Sequence, residues 1–393
     1  MDLNWCRWGK LVMERNNIYR NMRKLLHLIA ILFSISVYSQ NGKTLLFIGT
    51  YTQGLPDSGI YVCDFNSETG EIKLLSTGKD LINPSYLNLS HNGQFLYACT
   101  NSKLPQYGKV AAFSIDSLNG KIQLLNSQSS LGENPVYINP SKNKEHVVNV
   151  NYTEGNLSVY KISENGYFSE AIQNIQFTDS SIIQSRQEKS HPHAVMFSPD
   201  DKYIIVPDLG ADKIRVFTYD TNLTKPVIEF KNISCYPGSG PRHFTFHPNG
   251  KFAYCIEELS GYVSAYKYAN GNLDSIQRIF SYSRKIKDYA GADIHISPDG
   301  LFLYASNRIE NTISIFKIET TGKLTLIGHQ STLGDHPRNF CIDPSGHFLI
   351  VANLSTNSIV VFKRNLKTGL LSKTKFSLSV PRPSSLQMRN YRN

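Results

Sequence analysis

The chain has 393 residues, 40% of them apolar and 18% charged, with a formal net charge of +10. That balance excludes a disordered or solvating chain, and the length suffices for a large core. Residues 1–40 hold six Lys/Arg against two Asp/Glu. Much of the positive excess therefore belongs to the leader, and no basic run or basic helix pattern follows it. Nucleic-acid binding is a poor expectation, whereas a basic cleft for a small anion fits the remainder.

Residues 23–40 read as a signal peptide: Arg23-Lys24, an apolar run over 25–37, then small residues at Val37 and Ser39. The run is short for a membrane span, so cleavage before Gln40 and no lasting membrane insertion are expected, with an uncleaved anchor as the alternative. Residues 1–39 are accordingly read as leader and 40–393 as a single domain. Met22 immediately precedes the basic pair and is a plausible true start. Five cysteines follow the leader: Cys63, Cys99, Cys235, Cys255 and Cys341. Their odd number and lack of paired spacing suggest small core residues, with neither a disulfide framework nor a zinc site.

After residue 40 the chain repeats with a period of about 50, close to that of a four-stranded propeller blade. Turn signals at 91–93, 142–144, 199–201, 248–250, 298–300 and 344–346 each precede a short β-rich run, at 95–99, 146–150, 203–206, 252–256, 302–306 and 348–352. Asn, Asp and Gly tolerate the backbone angles of a tight turn, so each unit predicts a hairpin. Third strands follow at 60–65, 214–217, 313–316 and 359–362. Fourth strands come after glycine turns, as at 70–75 and 322–327. The fold class is therefore all-β: a seven-bladed β-propeller of four-stranded antiparallel blades. The first repeat lacks an opening strand, and residues 382–388 match the pattern of 83–89. The C-terminal strand is thus expected to complete the N-terminal blade and close the ring.

Polar residues break the repeat pattern at two positions. The residue after the strand-opening proline, or its equivalent, is Ser85, Val136, His193, Arg242, Ala292, Arg338 and Ser384, and the next position adds His243, Asp293 and Asn339. Second strands end on Thr50, Thr100, Asn151, Asp208, Glu257, Asn307 and Asn353, followed in places by Asn101, Glu258 and Arg308. The two strands form an antiparallel hairpin, so both sets fall at one end of the channel. His193, Arg242, His243, Glu258, Asp293, His295, Arg308, His336 and Arg338 are expected to gather there from four neighbouring blades, able together to bind an anion, polarise a carbonyl and move a proton. Turn hydrogen bonding accounts as well for Asn151, Asp208 and Asn353. His191-Pro192-His193 is a weak metal signal without a third ligand, and no nucleophile elbow, Walker loop or dinucleotide fingerprint occurs. No cofactor and no metal are implied.

In order, Gly49-Thr50-Tyr51-Thr52, His191-Pro192-His193, Pro207-Asp208-Leu209-Gly210, Gly240-Pro241-Arg242-His243, Asp293 to Gly300, Ser306-Asn307-Arg308 and His336-Pro337-Arg338-Asn339 resemble the seven-bladed lactonase family over about residues 44–390. That family includes the propeller-type 6-phosphogluconolactonase and the fungal carboxy-muconate lactonising enzyme. The resemblance implies a catalytic set of His193, Arg242, Glu258 and Arg308. Glu258 or His193 would activate water, the two arginines would stabilise an oxyanion or hold an anionic group, and His243, Asp293, His295, His336 and Arg338 would shape the substrate pocket. It implies a hydrolase acting on a sugar-type lactone, with an anionic lactone or carboxylate as small-molecule partner and an exported, periplasmic or secreted location. The alternatives are a cycloisomerase of an unsaturated dicarboxylate and a non-catalytic ligand-binding propeller. Where the family reads Asn-Glu-Leu, this chain has Glu257-Glu258-Leu259. The added carboxylate is expected to raise the pKa of its neighbour or repel an anionic substrate.

Overall fold

A computed structural model describes residues 42–52, 59–143 and 145–391. The expected leader, residues 1–39, and the expected cleavage site before Gln40 lie outside them. Every named element among the described residues is a strand, and the strands form seven four-stranded antiparallel sheets. Blade 1 orders its strands Pro383–Tyr391, Lys43–Thr50, Ile60–Phe65 and Ile72–Gly78, so the last strand of the chain lies inside the first. The ring is closed by the two ends of the sequence, as expected from the match between 382–388 and 83–89. Blades 2 to 7 follow in chain order, with innermost strands Tyr86–Leu89, Pro135–Pro140, Met196–Phe197, Pro241–Phe246, Gly291–Ile296 and Pro337–Ile342.

The hairpins at the far end of the channel form by one recurring device. In blade 6, Ser297 Oγ donates to Asp299 Oδ1 at 2.5 Å, that oxygen accepts Leu301 N–H at 2.9 Å, and Gly300 turns at a φ of 73°. Ser90 with Asn92, Ser141 with Asn143 and Ser198 with Asp200 repeat the serine contact. A short polar side chain at the turn substitutes for backbone pairing, which is why the Asn/Asp/Gly punctuation was visible in the sequence.

Second and third strands bury their aliphatic faces between blades, for example Leu303, Ala305 and Phe316 against Tyr254, Ile256 and Val263. Cys63, Cys99, Cys255 and Cys341 are buried, Cys235 is partly buried, and all five are free thiols. Side chains also lace the innermost strands together. His243 meets Asp293, Asn339 Nδ2 donates to Asp293, Leu386 N–H donates to Asn339 Oδ1 at 2.6 Å, and Leu87 N–H donates to Ser385 Oγ at 3.0 Å. This lateral network joins blades 5, 6, 7, 1 and 2 around the axis.

Candidate active site at the channel mouth

A register shift positions the first ring of side chains. In blade 5, Pro241 pairs with Glu257 but His243 pairs with Ile256, leaving Arg242 as an extra residue in a bulge. Blade 3 bulges likewise at Val136, blade 7 at Arg338, and blade 6 between Gly291 and Ile294. A bulge re-aims the side chain it inserts. The second ring follows each second strand, where the chain folds back onto the residue before the next turn into the channel. Glu258 N–H donates to Gly240 O at 2.7 Å, Arg308 to Ala290 O at 3.0 Å, Tyr152 to Asn134 O at 2.9 Å and Tyr51 to Arg382 O at 3.1 Å. One repeated backbone contact thus delivers Glu258, Arg308, Tyr152 and Tyr51 to equivalent places.

Glu258 is the anchor of the mouth. Its Oε2 lies 2.9 Å from Arg242 Nε and 2.9 Å from Arg308 Nη2, and its Oε1 lies 2.5 Å from Arg186 Nη2. Arg242 is 1% exposed, and its Nη1 donates to Ala292 O in the next blade. Arg308 also donates from Nη2 to Gly291 O at 3.1 Å. Burial alone would raise the Glu258 pKa, but Arg308, Arg242 and Arg186 outweigh it and hold the carboxyl well below the ordinary range. Burial and the nearby Arg308 push Arg242 down to about 9, which leaves it a cation at neutral pH.

The expected influence of Glu257 is absent. Its carboxylate turns away from Glu258 to Arg278, 2.6 Å from Nη2, and accepts from Ser264 at 2.6 Å. Being neutralised there, it neither raises the neighbouring pKa nor presents a charge to the mouth. Alternation along the chain explains this: Glu257 ends the strand and faces the third and fourth strands, whereas Glu258 begins the turn.

Beneath this layer lies a polar plug. Asp293, 2% exposed, accepts His243 Nδ1 at 2.7 Å on Oδ1 and contacts His295 Nε2 at 2.8 Å on Oδ2. Burial opposes ionisation of Asp293, but His295 and His243 carry its carboxyl well below the usual range. Burial, then Arg242, lowers His243 to about 4, so the ring is neutral, and an ionised neighbour fixes its proton on Nδ1. Its Nε2 has no hydrogen-bond partner among the described residues, and the ring stands edge-on to Tyr137 and His193 at 5.3 Å each. His295 is raised by Asp293 against the effect of burial. Its ion-pair contact is with Asp293, two residues earlier on its strand, and no hydrogen bond or ion pair joins it to Arg242, Glu258 or Arg308 among the described residues.

His193 is buried, with Nδ1 unpartnered among the described residues. Burial, then Arg242, His243 and Arg338, holds it well below its ordinary pKa and therefore neutral. His191 is committed elsewhere: it stacks on Tyr152 at 4.3 Å and bonds Tyr152 O and Glu188. His336 precedes Pro337 in a left-handed conformation, φ 61°, and burial with Arg308 lowers it to about 4. Arg338 lies beside the buried ring of Tyr51, its Cζ 5.3 Å from the centroid. A separate cleft of about 580 Å³, lined among others by Phe95, Tyr97 and His146, sits by the turns at the other end of the blades and shares none of these residues.

Several mouth residues escaped the sequence reading. Tyr51 and Tyr152 occupy the same register as Glu258 and Arg308, but a search for ionisable groups passes over aromatic rings. Lys103 lies in a loop three residues beyond a second strand. Arg186 comes from the irregular stretch between blades 3 and 4, where no repeat register exists to place it.

The fold and this arginine-clamped mouth define a propeller enzyme of lactone chemistry, and the chain belongs to the lactonase, 7-bladed beta-propeller family, whose model matches residues 45–388. A 6-phosphogluconolactonase of Formosa agariphila is 46% identical over 351 residues, covering 88% of this chain and 99% of the relative. One from Bacillus subtilis is 32% identical over 345 residues, covering 87% and 97%. The solved periplasmic gluconolactonase of Pseudomonas aeruginosa superposes with a TM-score of 0.84 at 30% identity, covering 88% of this chain and 99% of that one.

Proposed function

We propose that this protein hydrolyses a sugar-type lactone of the 6-phosphogluconolactone kind at the channel mouth. The observation that carries the reading is the single Glu258 oxygen shared by Arg242 and Arg308 at 2.9 Å each. The shared carboxylate pre-orients two guanidinium groups in a site largely withdrawn from water. Such fixed positive charge stabilises the oxyanion that forms when water attacks a lactone carbonyl. Glu258 is a poor base, because three arginines hold its negative charge in place.

His193 suits the proton transfer better, being neutral with an unpartnered ring nitrogen. In this scheme it takes a proton from water as the C–O bond forms. It then returns the proton to the ring oxygen as the tetrahedral intermediate collapses, so one lactone and one water give one hydroxy acid. His243, held by Asp293, is the wall of the pocket beneath. Arg242→Ala is expected to slow acid release from a lactone panel by about 10²–10³-fold. Unchanged turnover in a folded Arg242→Ala variant overturns the scheme. So does cyclisation of an unsaturated dicarboxylate without lactone consumption, or ligand binding without conversion.

We also infer that the protein is exported. The basic, apolar and small-residue order of residues 23–40 supports this, as does similarity to a periplasmic gluconolactonase. N-terminal sequencing of the native protein is expected to begin at Gln40. A start within residues 1–22 overturns it.

A further inference from the structure

Arg186, Arg242 and Arg308 share the Glu258 carboxylate, but a second group of cations at the mouth has no carboxylate in contact among the described residues. Lys103 Nζ lies 4.3 Å from the centroid of the Tyr51 ring, and Arg338 Cζ lies 5.3 Å from the same centroid. Neither Lys103 nor Arg338 has a carboxylate in ion-pair contact among the described residues. Two cations held on one ring without a counter-charge repel each other, which is an unfavourable arrangement unless an anion completes it.

Tyr51 supplies a third element. It is 1% exposed, and its hydroxyl, beside the donor-only Arg338 guanidinium, has no acceptor for its own proton among the described residues. Buried hydroxyls are ordinarily satisfied, so an open one beside two unpaired cations marks a place for an acceptor. Burial would raise the phenol's pKa, yet Arg338, Lys103 and Arg242 draw it below the ordinary value, strengthening the hydroxyl as a donor. The backbone is set unusually around this group. Lys103 has a φ of 56°, and His336 and Arg382, each preceding a proline, have φ of 61° and 43°. Left-handed backbone at residues other than glycine carries strain that clusters at binding sites.

Position within the repeat connects this group to the chemistry. Tyr51 makes the blade-1 version of the backbone contact that places Glu258 in blade 5 and Arg308 in blade 6. Lys103 and Arg338 belong to blades 2 and 7, on either side of it. The mouth is thereby divided into a half whose cations share the Glu258 carboxylate and a cationic half around Tyr51 with no carboxylate in contact among the described residues.

We propose that Tyr51, Lys103 and Arg338 form a subsite for a phosphate monoester at the end of the substrate remote from the lactone carbonyl. The assignment rests on the lactonase reading above. Two cations and a neutral donor match the two charges and multiple acceptor oxygens of a phosphate better than a single carboxylate. Discrimination between phosphorylated and neutral sugar lactones then resides in these three residues, which approach the ligand from three adjacent blades.

The test compares kcat/KM for 6-phosphogluconolactone and for glucono-δ-lactone in the full-length protein and in Tyr51→Phe, Lys103→Gln and Arg338→Gln. A wild-type preference for the phosphorylated lactone is expected, falling at least tenfold in each cation variant and several-fold in Tyr51→Phe, mainly through KM. No wild-type preference, or a preference unchanged in all three folded variants, overturns the subsite. Calorimetric titration with inorganic phosphate separates this from failure of the lactonase reading. If neither lactone is turned over but phosphate binds the wild type at least tenfold more tightly than Lys103→Gln, the subsite stands and the hydrolase reading falls. Equal phosphate affinity in both removes the subsite.

Discussion

Arg242 Nε and Glu258 Oε2 meet at 2.9 Å, with neither side chain more than 5% exposed. A pair so withdrawn from water depends on its complete set of partners, because a charge left alone there is strongly disfavoured. Glu258→Gln should therefore lower stability by about 3–5 kcal/mol, as three arginines lose their common anion. Urea unfolding reads this directly. The same variant should lose turnover even in the folded fraction, since the arginines no longer share a fixed geometry. A variant of wild-type stability would show that the clamp contributes little.

Acid should weaken the fold earlier than carboxylate titration alone predicts. Burial and neighbouring arginines lower His243 and His336 to about 4 and hold His193 well below its ordinary value, so they are neutral in the native state where the unfolded chain is protonated. The unfolded state then binds more protons, and stability present above pH ~6.5 is lost as pH falls toward ~4. Glu258 and Asp293, whose native carboxyls are depressed, add losses of the same sign below pH ~4.5. His336→Asn keeps a residue that tolerates the left-handed backbone, and should reduce the slope of unfolding free energy between pH 6.5 and 4 by about one proton. An unchanged slope would contradict the assignment.

Glu257 serves the blade and not the mouth. Glu257→Asn should leave kcat/KM within about twofold while lowering the urea midpoint, because Arg278 loses its partner at 2.6 Å. A large loss of turnover with unaltered stability would place Glu257 in the chemistry.

Gly240 precedes the bulge that aims Arg242, at a φ of 62°, and a Cβ there would lie 2.6 Å from Leu259 Cγ. Gly240→Ala should displace the chain before Arg242 and cost about tenfold or more in kcat, since small misplacements near a reacting centre are costly. Wild-type kcat with intact stability would show that the bulge tolerates movement.

The propeller was legible because its signals are local and repeated: Asn, Asp and Gly at the turns, and β-rich runs after them. Arg242, Glu258 and Arg308 could likewise be brought to one rim by counting along repeats. What counting could not supply was side-chain direction. Glu257 and Glu258 are adjacent in sequence, yet one faces Arg278 and the other the mouth. His295 shares a strand with Asp293 but lies beyond it. Arg186 reaches Glu258 from a segment without register, and only tertiary folding brings the two together.

The contact between Tyr51 N–H and Arg382 O joins the start of the ring to its final strand. That contact cannot exist until Arg382 has been made, after the strands of the other six blades, so the cationic half of the mouth is assembled last. Until Pro383–Tyr391 is in place, Lys43–Thr50 remains an open sheet edge, so the strand that closes the ring also covers a surface on which another chain could pair.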